Sequence, residues 1–289
     1  MVNAISLRDV NKLYGNKRGI SGVTLEVKAG EIYGFLGPNG AGKTTTIRCI
    51  MDFIRPQSGT IKIFGKDVRD KSVETREMIG FLPSDSQLYP HWTAQNYLDY
   101  LEQLRGKSDM TNLITRLGLD PSIQFRHLSS GNKQKLALVV ALYGTPRLVI
   151  MDEPTKGLDP LLQQEIYSIL KEYKADGGTV FLSSHNLPEV EKICDEVGVI
   201  KEGKIVASES MQSIRKMAIH IVTIAAAKAL SPADFQLPNV EIAHHSDRHM
   251  VLKVRGDLNP LLKTISKYSV TDLEITHANL EDIFLEYYK

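Results

Sequence analysis

The segment Gly37-Pro38-Asn39-Gly40-Ala41-Gly42-Lys43-Thr44 matches the pattern G-x-x-x-x-G-K-[ST]. Each residue type in it answers a chemical need. Glycines let the backbone curl until successive N–H groups point inward at phosphate oxygens. Lys43 sets a point charge against the outer phosphates, and the small Thr44 hydroxyl suits Mg²⁺. The flanks agree with this reading. Residues 31–36 form a short, mostly apolar run that reads as a buried strand. Residues 44–53 read as a helix, whose positive end adds to an anion site.

Upstream, residues 5–10 and 22–27 alternate apolar and polar side chains, as strands with one buried face do. Downstream, residues 61–64 and the run Ile79-Gly80-Phe81-Leu82-Pro83 are further strand-like segments. From about residue 84 to 143 the pattern turns helical. Tyr97, Leu98, Leu101 and Leu104 make one apolar stripe, and residues 136–142 are almost continuously apolar. Residues 148–151 and 179–182 are apolar strands with a helical stretch, 161–173, between them: a parallel βαβ unit. The first of these strands runs into Asp152-Glu153. A carboxylate at the C-terminal end of a parallel strand lies where open α/β sheets bind ligands. Asp152 is placed to hold Mg²⁺, and Glu153 to polarise an attacking water as base or positioning group. Two acids after a strand also serve as a helix N-cap, but the phosphate segment favours the metal-and-base reading. Glu202-Gly203 marks a hairpin between residues 197–200 and 204–207.

After about residue 211 the character changes. Residues 217–224 and 250–254 alternate like strands, and Leu258, Leu261, Leu262 and Ile265 fall at helical spacing. A strand around residues 273–275 precedes a second helical set, Leu280, Ile283, Phe284 and Tyr287. His244-His245, near His249, reads as a solvated loop, since no acid or thiol lies close in a ligand pattern. The expected organisation is an α/β main domain over residues 1–210, with a helical subdomain at about 84–145, and a small α+β domain over residues 211–289.

Composition bounds the function. The chain has 289 residues, 42% hydrophobic and 24% charged, with 35 basic against 34 acidic side chains. That balance gives no support to nucleic-acid binding through bulk charge. Cys49 and Cys194 lie far apart without metal-ligand spacing and read as free thiols in a reducing cytosol. The first residues lack the regions of a signal peptide. No apolar run reaches the roughly 18 residues of a membrane span. Any membrane role is therefore expected to depend on a separate partner.

Leu128-Ser129-Ser130-Gly131-Asn132, followed by Lys133-Gln134-Lys135, resembles the signature of the ABC transporter ATPases, usually Leu-Ser-Gly-Gly-Gln. Gly157-Leu158-Asp159 resembles that family's D-loop, and Ser183-Ser184-His185 its switch-histidine strand end. Tyr14, in Leu13-Tyr14-Gly15, resembles the aromatic residue that stacks on adenine. The motifs stand in the family's order across residues 2–210. The remainder resembles the C-terminal extension of drug-export ATPases of the bacitracin- and daunorubicin-resistance type.

The resemblance implies an ABC-type P-loop ATPase fold, a mixed sheet core plus helical subdomain, with ATP and Mg²⁺ as ligands. Gly37, Asn39, Gly40, Ala41, Gly42, Lys43, Thr44 and Thr45 would surround the phosphates. Two chains, expected to be a homodimer, would pair head to tail. Ser129, Ser130, Gly131 and Asn132 would then reach the partner's ATP. His185 would contact the γ-phosphate beside the catalytic Glu153. Asp159 would link the two sites, with capping of the helix after Pro160 as the competing role. A polytopic permease at the cytoplasmic face of the membrane would be the working partner, with no nucleic acid involved. The cargo, a drug, antibiotic or lipid, would be chosen by that permease.

The chain departs from the family pattern in places. Ser84 stands where Gln or Glu is usual and becomes the expected third metal residue, with Asp85 or Gln87 as alternatives. Ser130 replaces a glycine and Asn132 a glutamine. Tyr89-Pro90-His91-Trp92 is either a partner contact or part of the helical core. Soluble family members of translation carry two ATPase domains, whereas this chain has one phosphate segment. DNA-repair members insert a long coiled coil, for which the span from Thr44 to Leu128 is too short. Glu153 and His185 together argue against a regulator that only binds nucleotide.

Overall fold

Strands with no hydrophobic alternation lie inside the main sheet of the computed structural model, which describes residues 2–15, 18–216 and 219–277. The chain divides into two compact units, residues 1–208 and 209–289. In the first, β1 (Asn3–Tyr14) pairs antiparallel with β2 (Arg18–Lys28) and β4 (Ser58–Ile63), and β4 pairs with the short β5 (Lys66–Asp67). A six-stranded sheet has the order β10-β9-β3-β8-β7-β6. Its strands are β3 (Ile32–Leu36), β6 (Ile79–Leu82), β7 (Leu148–Asp152), β8 (Thr179–Ser184), β9 (Glu196–Lys201) and β10 (Lys204–Ser210). β6, β7, β8, β3 and β9 run parallel. Every residue of β3, β7 and β8 is buried. Strands covered on both faces have no solvent side, so they read as continuous apolar runs. Glu202 and Gly203, at φ 49° and 79°, make the two-residue turn between β9 and β10.

One core joins both sheets through the helix Lys43–Ile50, with Leu7, Val27, Ile47, Phe35 and Phe181 among its members. The ring of Phe181 lies 5.4 Å from that of Phe35 and 5.8 Å from that of Tyr33, tying β8 to β3. The helix is shorter than its sequence pattern, residues 44–53, suggests. Asp52 takes a left-handed φ of 53° and turns the chain away. Helices Ala94–Arg105, Thr111–Arg116 and Ser130–Leu142 fill the region between β6 and β7. Thr93 and Asn96 open the first of them with a reciprocal capping box. Helix Pro160–Ala175 links β7 to β8. Helix Leu187–Ile193 then packs hard on β3: a Cβ on Gly34 would meet Val190 Cγ1 at 2.8 Å and Cys194 Sγ at 2.9 Å. Cys49 and Cys194 are buried free thiols.

In the second unit an antiparallel sheet has the order β12-β13-β11-β14. The strands are β11 (Ile219–Ala226), β12 (Val240–Ser246), β13 (His249–Arg255) and β14 (Val270–His277). Val222, Ile224, Met250, Leu252 and Val254 share its core with Phe235 and, from helix Asn259–Ile265, Leu261. His244 and His245 lie within β12, not in a loop. β12 is an edge strand with no fully buried residue: Val240 and Ile242 pack on the core, but the alternation stops before His244 and His245, so nothing local marks these two as strand. The helical set Leu280, Ile283, Phe284 and Tyr287 lies outside the described residues. Among the described residues no helix is long and apolar enough to cross a membrane.

Phe181→Ala removes the ring that holds β8 against β3. A loss of about 3–5 kcal/mol in unfolding free energy is expected, read as a lower urea midpoint. A loss under about 1 kcal/mol would show that Phe181 does not anchor β8.

Candidate active site

Parallel register decides which side chains meet. Leu36 of β3 lies beside Ser184 of β8, and Asp152 of β7 lies beside Ser183. The C-terminal ends of these strands therefore share one sheet edge, the usual ligand side of an open α/β sheet. β6 pairs parallel with β7, so Ser84 emerges at the same edge.

The loop after β3 is shaped by its glycines. Gly37 donates its N–H to the Ser184 carbonyl at 3.2 Å. A Cβ there would meet the Ile200 carbonyl oxygen at 2.5 Å, so no larger residue fits. Gly40 and Gly42 take φ values of 82° and 113°, open only to residues without a side chain. Gly42 is the N-cap of helix Lys43–Ile50 and provides no side-chain cap. The first N–H groups of that helix have no intrahelical acceptor and suit an anion.

Lys43 Nζ donates to the Gly37 carbonyl at 2.6 Å and to the Pro38 carbonyl at 3.3 Å. It also lies 3.1 Å from Glu153 Oε1, with side-chain exposures of 6% and 11%. That contact is an ion pair without hydrogen-bond alignment, and Oε1 has no other partner. Thr44 Oγ1 donates to Asp152 Oδ2 at 2.9 Å. Ser183 Oγ donates to Asp152 Oδ1 at 2.5 Å and accepts the Glu153 N–H at 3.2 Å. Glu153 has a φ of 55°, a left-handed conformation that is costly for a side chain of this size. Its Oε2 accepts from His185 Nδ1 at 2.6 Å. A carboxylate has no proton to give, so Nδ1 carries it. Lys43, Glu153 and His185 thus form one chain of contacts, and Thr44, Asp152 and Ser183 another.

Above this network opens a cleft of about 490 Å³. Ligand pockets commonly fall in that range. Tyr14, half-exposed at its wall, carries Lys12 Nζ 5.5 Å from its ring. Asn39, Gly40, Gly42, Lys43, Thr44 and Thr45 line the cleft, together with Glu153 and Ser84. Asp85 and Gln87 do not line it. Gly37 and Ala41 are buried behind the loop, where the Ala41 carbonyl accepts from Gly203 N at 2.9 Å. Arg18 and Lys156 also line the cleft. Neither belongs to a pattern legible in the sequence, although Lys156 follows Glu153 closely.

Ser129, Ser130, Gly131 and Asn132 lie apart from this cleft. Ser129 is the exposed N-cap of helix Ser130–Leu142, its Oγ accepting from Asn132 N at 3.3 Å. Gln134 Nε2 ties the helix to the Pro154 carbonyl at 2.9 Å. Asp159 caps helix Pro160–Ala175, its Oδ1 accepting from Leu162 N at 2.9 Å, so its capping role is realised in the single chain.

The adjacent oxygens of Thr44 and Asp152 are hard donors suited to Mg²⁺. Among the described residues no group of three or more His, Cys, Asp or Glu is placed to cage a metal. A cation here would take its remaining ligands from water and phosphate, the habit of Mg²⁺.

A family model described as ABC transporter matches residues 20–156. The bacitracin transport ATP-binding protein BcrA of Bacillus licheniformis is 32% identical, over 99% of this chain and 97% of that protein. Nod factor export ATP-binding protein I of Paraburkholderia xenovorans is 32% identical, over 98% and 96%. A solved ATP-binding subunit of an ABC transporter superposes with a TM-score of 0.69 at 31% identity, over 74% of this chain and 92% of that one.

Ser183→Ala deletes a buried hydroxyl that serves Asp152 and the Glu153 N–H together. A stability loss of about 1–3 kcal/mol is expected from the two partners left unsatisfied. Guanidinium unfolding of the ligand-free protein reads it, and an unchanged midpoint would refute the bridge.

Proposed function

The chain belongs to the ATP-binding proteins of the ABC transporter family, and from that membership we propose how its cleft works. The protein is the ATP-binding and ATP-hydrolysing cassette of an export system, powering a separate transmembrane subunit. The observation that carries the assignment of residues is the pair of contact chains beneath the phosphate loop, Lys43–Glu153–His185 and Thr44–Asp152–Ser183.

The triphosphate lies on the N-terminal turn of helix Lys43–Ile50, within reach of Lys43, with adenine against Tyr14. Mg²⁺, when bound, neutralises charge on the outer phosphates. Thr44 and Asp152 would hold it, with Ser84 in the place of the usual third residue. Glu153 orients the attacking water and takes its proton. The water oxygen bonds to the γ-phosphorus, the bond to the bridging oxygen breaks, and ADP leaves with that electron pair. Proton transfer to a positioned side chain is worth about 10²–10⁴-fold in rate. His185 holds Glu153 in place through Nδ1 and meets the γ-phosphate.

The signature contributes nothing to the cleft of its own chain. Its exposed helix N-terminus favours an anion. A second copy, docked head to tail, would present Ser129 and the Gly131 N–H to the ATP of the first, completing both sites. ATP then acts as adhesive between two surfaces, and hydrolysis releases them. The difference in stability between closed and open dimers drives the permease. The permease docks where Trp92 packs against Tyr89 and Tyr100, ring centroids 4.8 Å and 5.4 Å away. Tyr89 and Tyr100 are exposed, as a contact surface requires. The protein would thus sit at the cytoplasmic face of the membrane, and the cargo would be a drug, antibiotic or lipid.

Glu153→Gln keeps the side chain's shape and removes its basicity. ATP affinity is expected to hold within about threefold, while kcat for hydrolysis falls by about 10² or more. The variant should elute as a dimer with Mg²⁺ and ATP, and as a monomer without them. A variant that hydrolyses at the wild-type rate, or stays monomeric with ATP, would overturn these roles. Ser84→Gln should leave ATP binding intact, and its loss on titration with a fluorescent ATP analogue would displace Ser84 from the proposed position.

A further inference from the structure

Glu189 is 2% exposed, on helix Leu187–Ile193, and takes no part in the cleft. Its Oε1 accepts from Thr155 Oγ1 at 2.6 Å. Its Oε2 accepts from Ser184 Oγ. Both hydroxyl-bearing residues are themselves buried. Burial pushes the Glu189 carboxyl above its ordinary range, and the two hydroxyls work against that rise.

The places of those two hydroxyls in the chain give the carboxylate its meaning. Thr155 follows Glu153 by two residues, and Ser184 directly precedes His185. One carboxylate therefore clasps the segment leaving Glu153 to the segment entering His185. The same Ser184 carbonyl accepts the Gly37 N–H, so the clasp reaches the start of the phosphate loop. The helix that carries Glu189 is itself pressed on β3 at Gly34, and so offers a fixed anchor. An apolar side chain of similar volume would fill this space without the cost of burying a charge. What the carboxylate adds is two directed acceptors, each aimed at one of the two segments.

We propose that Glu189 is a positioning residue, holding Glu153 and His185 at the separation that their 2.6 Å hydrogen bond requires. This rests on the hydrolytic reading of the site. Displacement of a reacting group by about 1 Å can cost about 10²-fold in rate. A relaxed clasp is expected to cost part of that, and to spare nucleotide binding.

The test uses the full chain, with ATP hydrolysis, binding of a fluorescent ATP analogue and thermal melting measured on five proteins. They are the wild type, E153Q, E189Q, T155V and the E189Q/T155V double variant. Glu189→Gln should lower kcat by about tenfold while KM and analogue affinity stay within about twofold. The double variant should be no slower than E189Q alone, because both changes open one clasp. Should E189Q fail to fold, T155V carries the same kcat-against-KM readout with the carboxylate in place. An unaltered kcat in either single variant would overturn the proposal. So would effects that multiply in the double variant, or a kcat loss matched by lost affinity. If the wild type itself does not hydrolyse ATP, the proposed function falls first and this inference with it. A wild type that hydrolyses beside an E189Q that matches it overturns the inference alone.

Discussion

Ser183 Oγ gives its hydrogen to Asp152 and takes one from the Glu153 N–H, and those two bonds exist because β7 and β8 pair in parallel with Asp152 opposite Ser183. A slip of one residue would turn every side chain of β8 to the other face of the sheet. Ser183 would then leave Asp152, and Ser184 would leave Glu189. The register is itself held by apolar burial, since every residue of both strands is buried and Phe181 is packed against two rings of β3. Hydrophobic packing thus sets the register, and the register delivers the polar groups to one edge.

At that edge the electrostatics are arranged around Glu153. A nearly buried carboxylate is tolerated because Lys43 stands 3.1 Å away on one side and His185 hydrogen-bonds on the other. Removing one member of a buried ion pair leaves the other without compensation, at a typical cost of about 3–5 kcal/mol. The left-handed backbone of Glu153 adds strain that only a well-determined surrounding can sustain. Its N–H donates to both the Ser183 carbonyl and the Ser183 hydroxyl oxygen, and these bonds supply part of that surrounding. The site is closely hydrogen-bonded beneath the glycine loop and opens above it as the cleft.

The Ser129 helix and the phosphate loop illustrate a division of labour within one chain. Both are uncapped or lightly capped helix N-termini that favour anions. Only one of them lines the cleft. In the proposed head-to-tail pair each chain would supply one half of each site, and nucleotide would be the link between copies.

The phosphate loop, the Asp152-Glu153 strand end, the parallel βαβ unit and the apolar strands were all legible in the chain, because each is written in residues adjacent in sequence. Local chemistry suffices there: glycines for a backbone that needs positive φ, β-branched and aromatic runs for strands buried on both faces. Where local signals were weak, the reading failed. In β12, an edge strand, the alternation of Val240 and Ile242 stops before His244 and His245, which therefore read as loop, and the short helix Ser72–Glu77 buries only Thr75 and carries no apolar stripe. Lys156, Arg18 and Glu189 could not be found either. Glu189 becomes meaningful only beside Thr155, 34 positions away, and nothing in its neighbours foretells that contact. Asp159 fits both a capping and a linking role in sequence, and folding realises the first. Short-range patterns specify which elements form and which motifs they carry. Which side chains then meet depends on strand order and register, and these are settled by burial of the whole core, a property that no short segment contains.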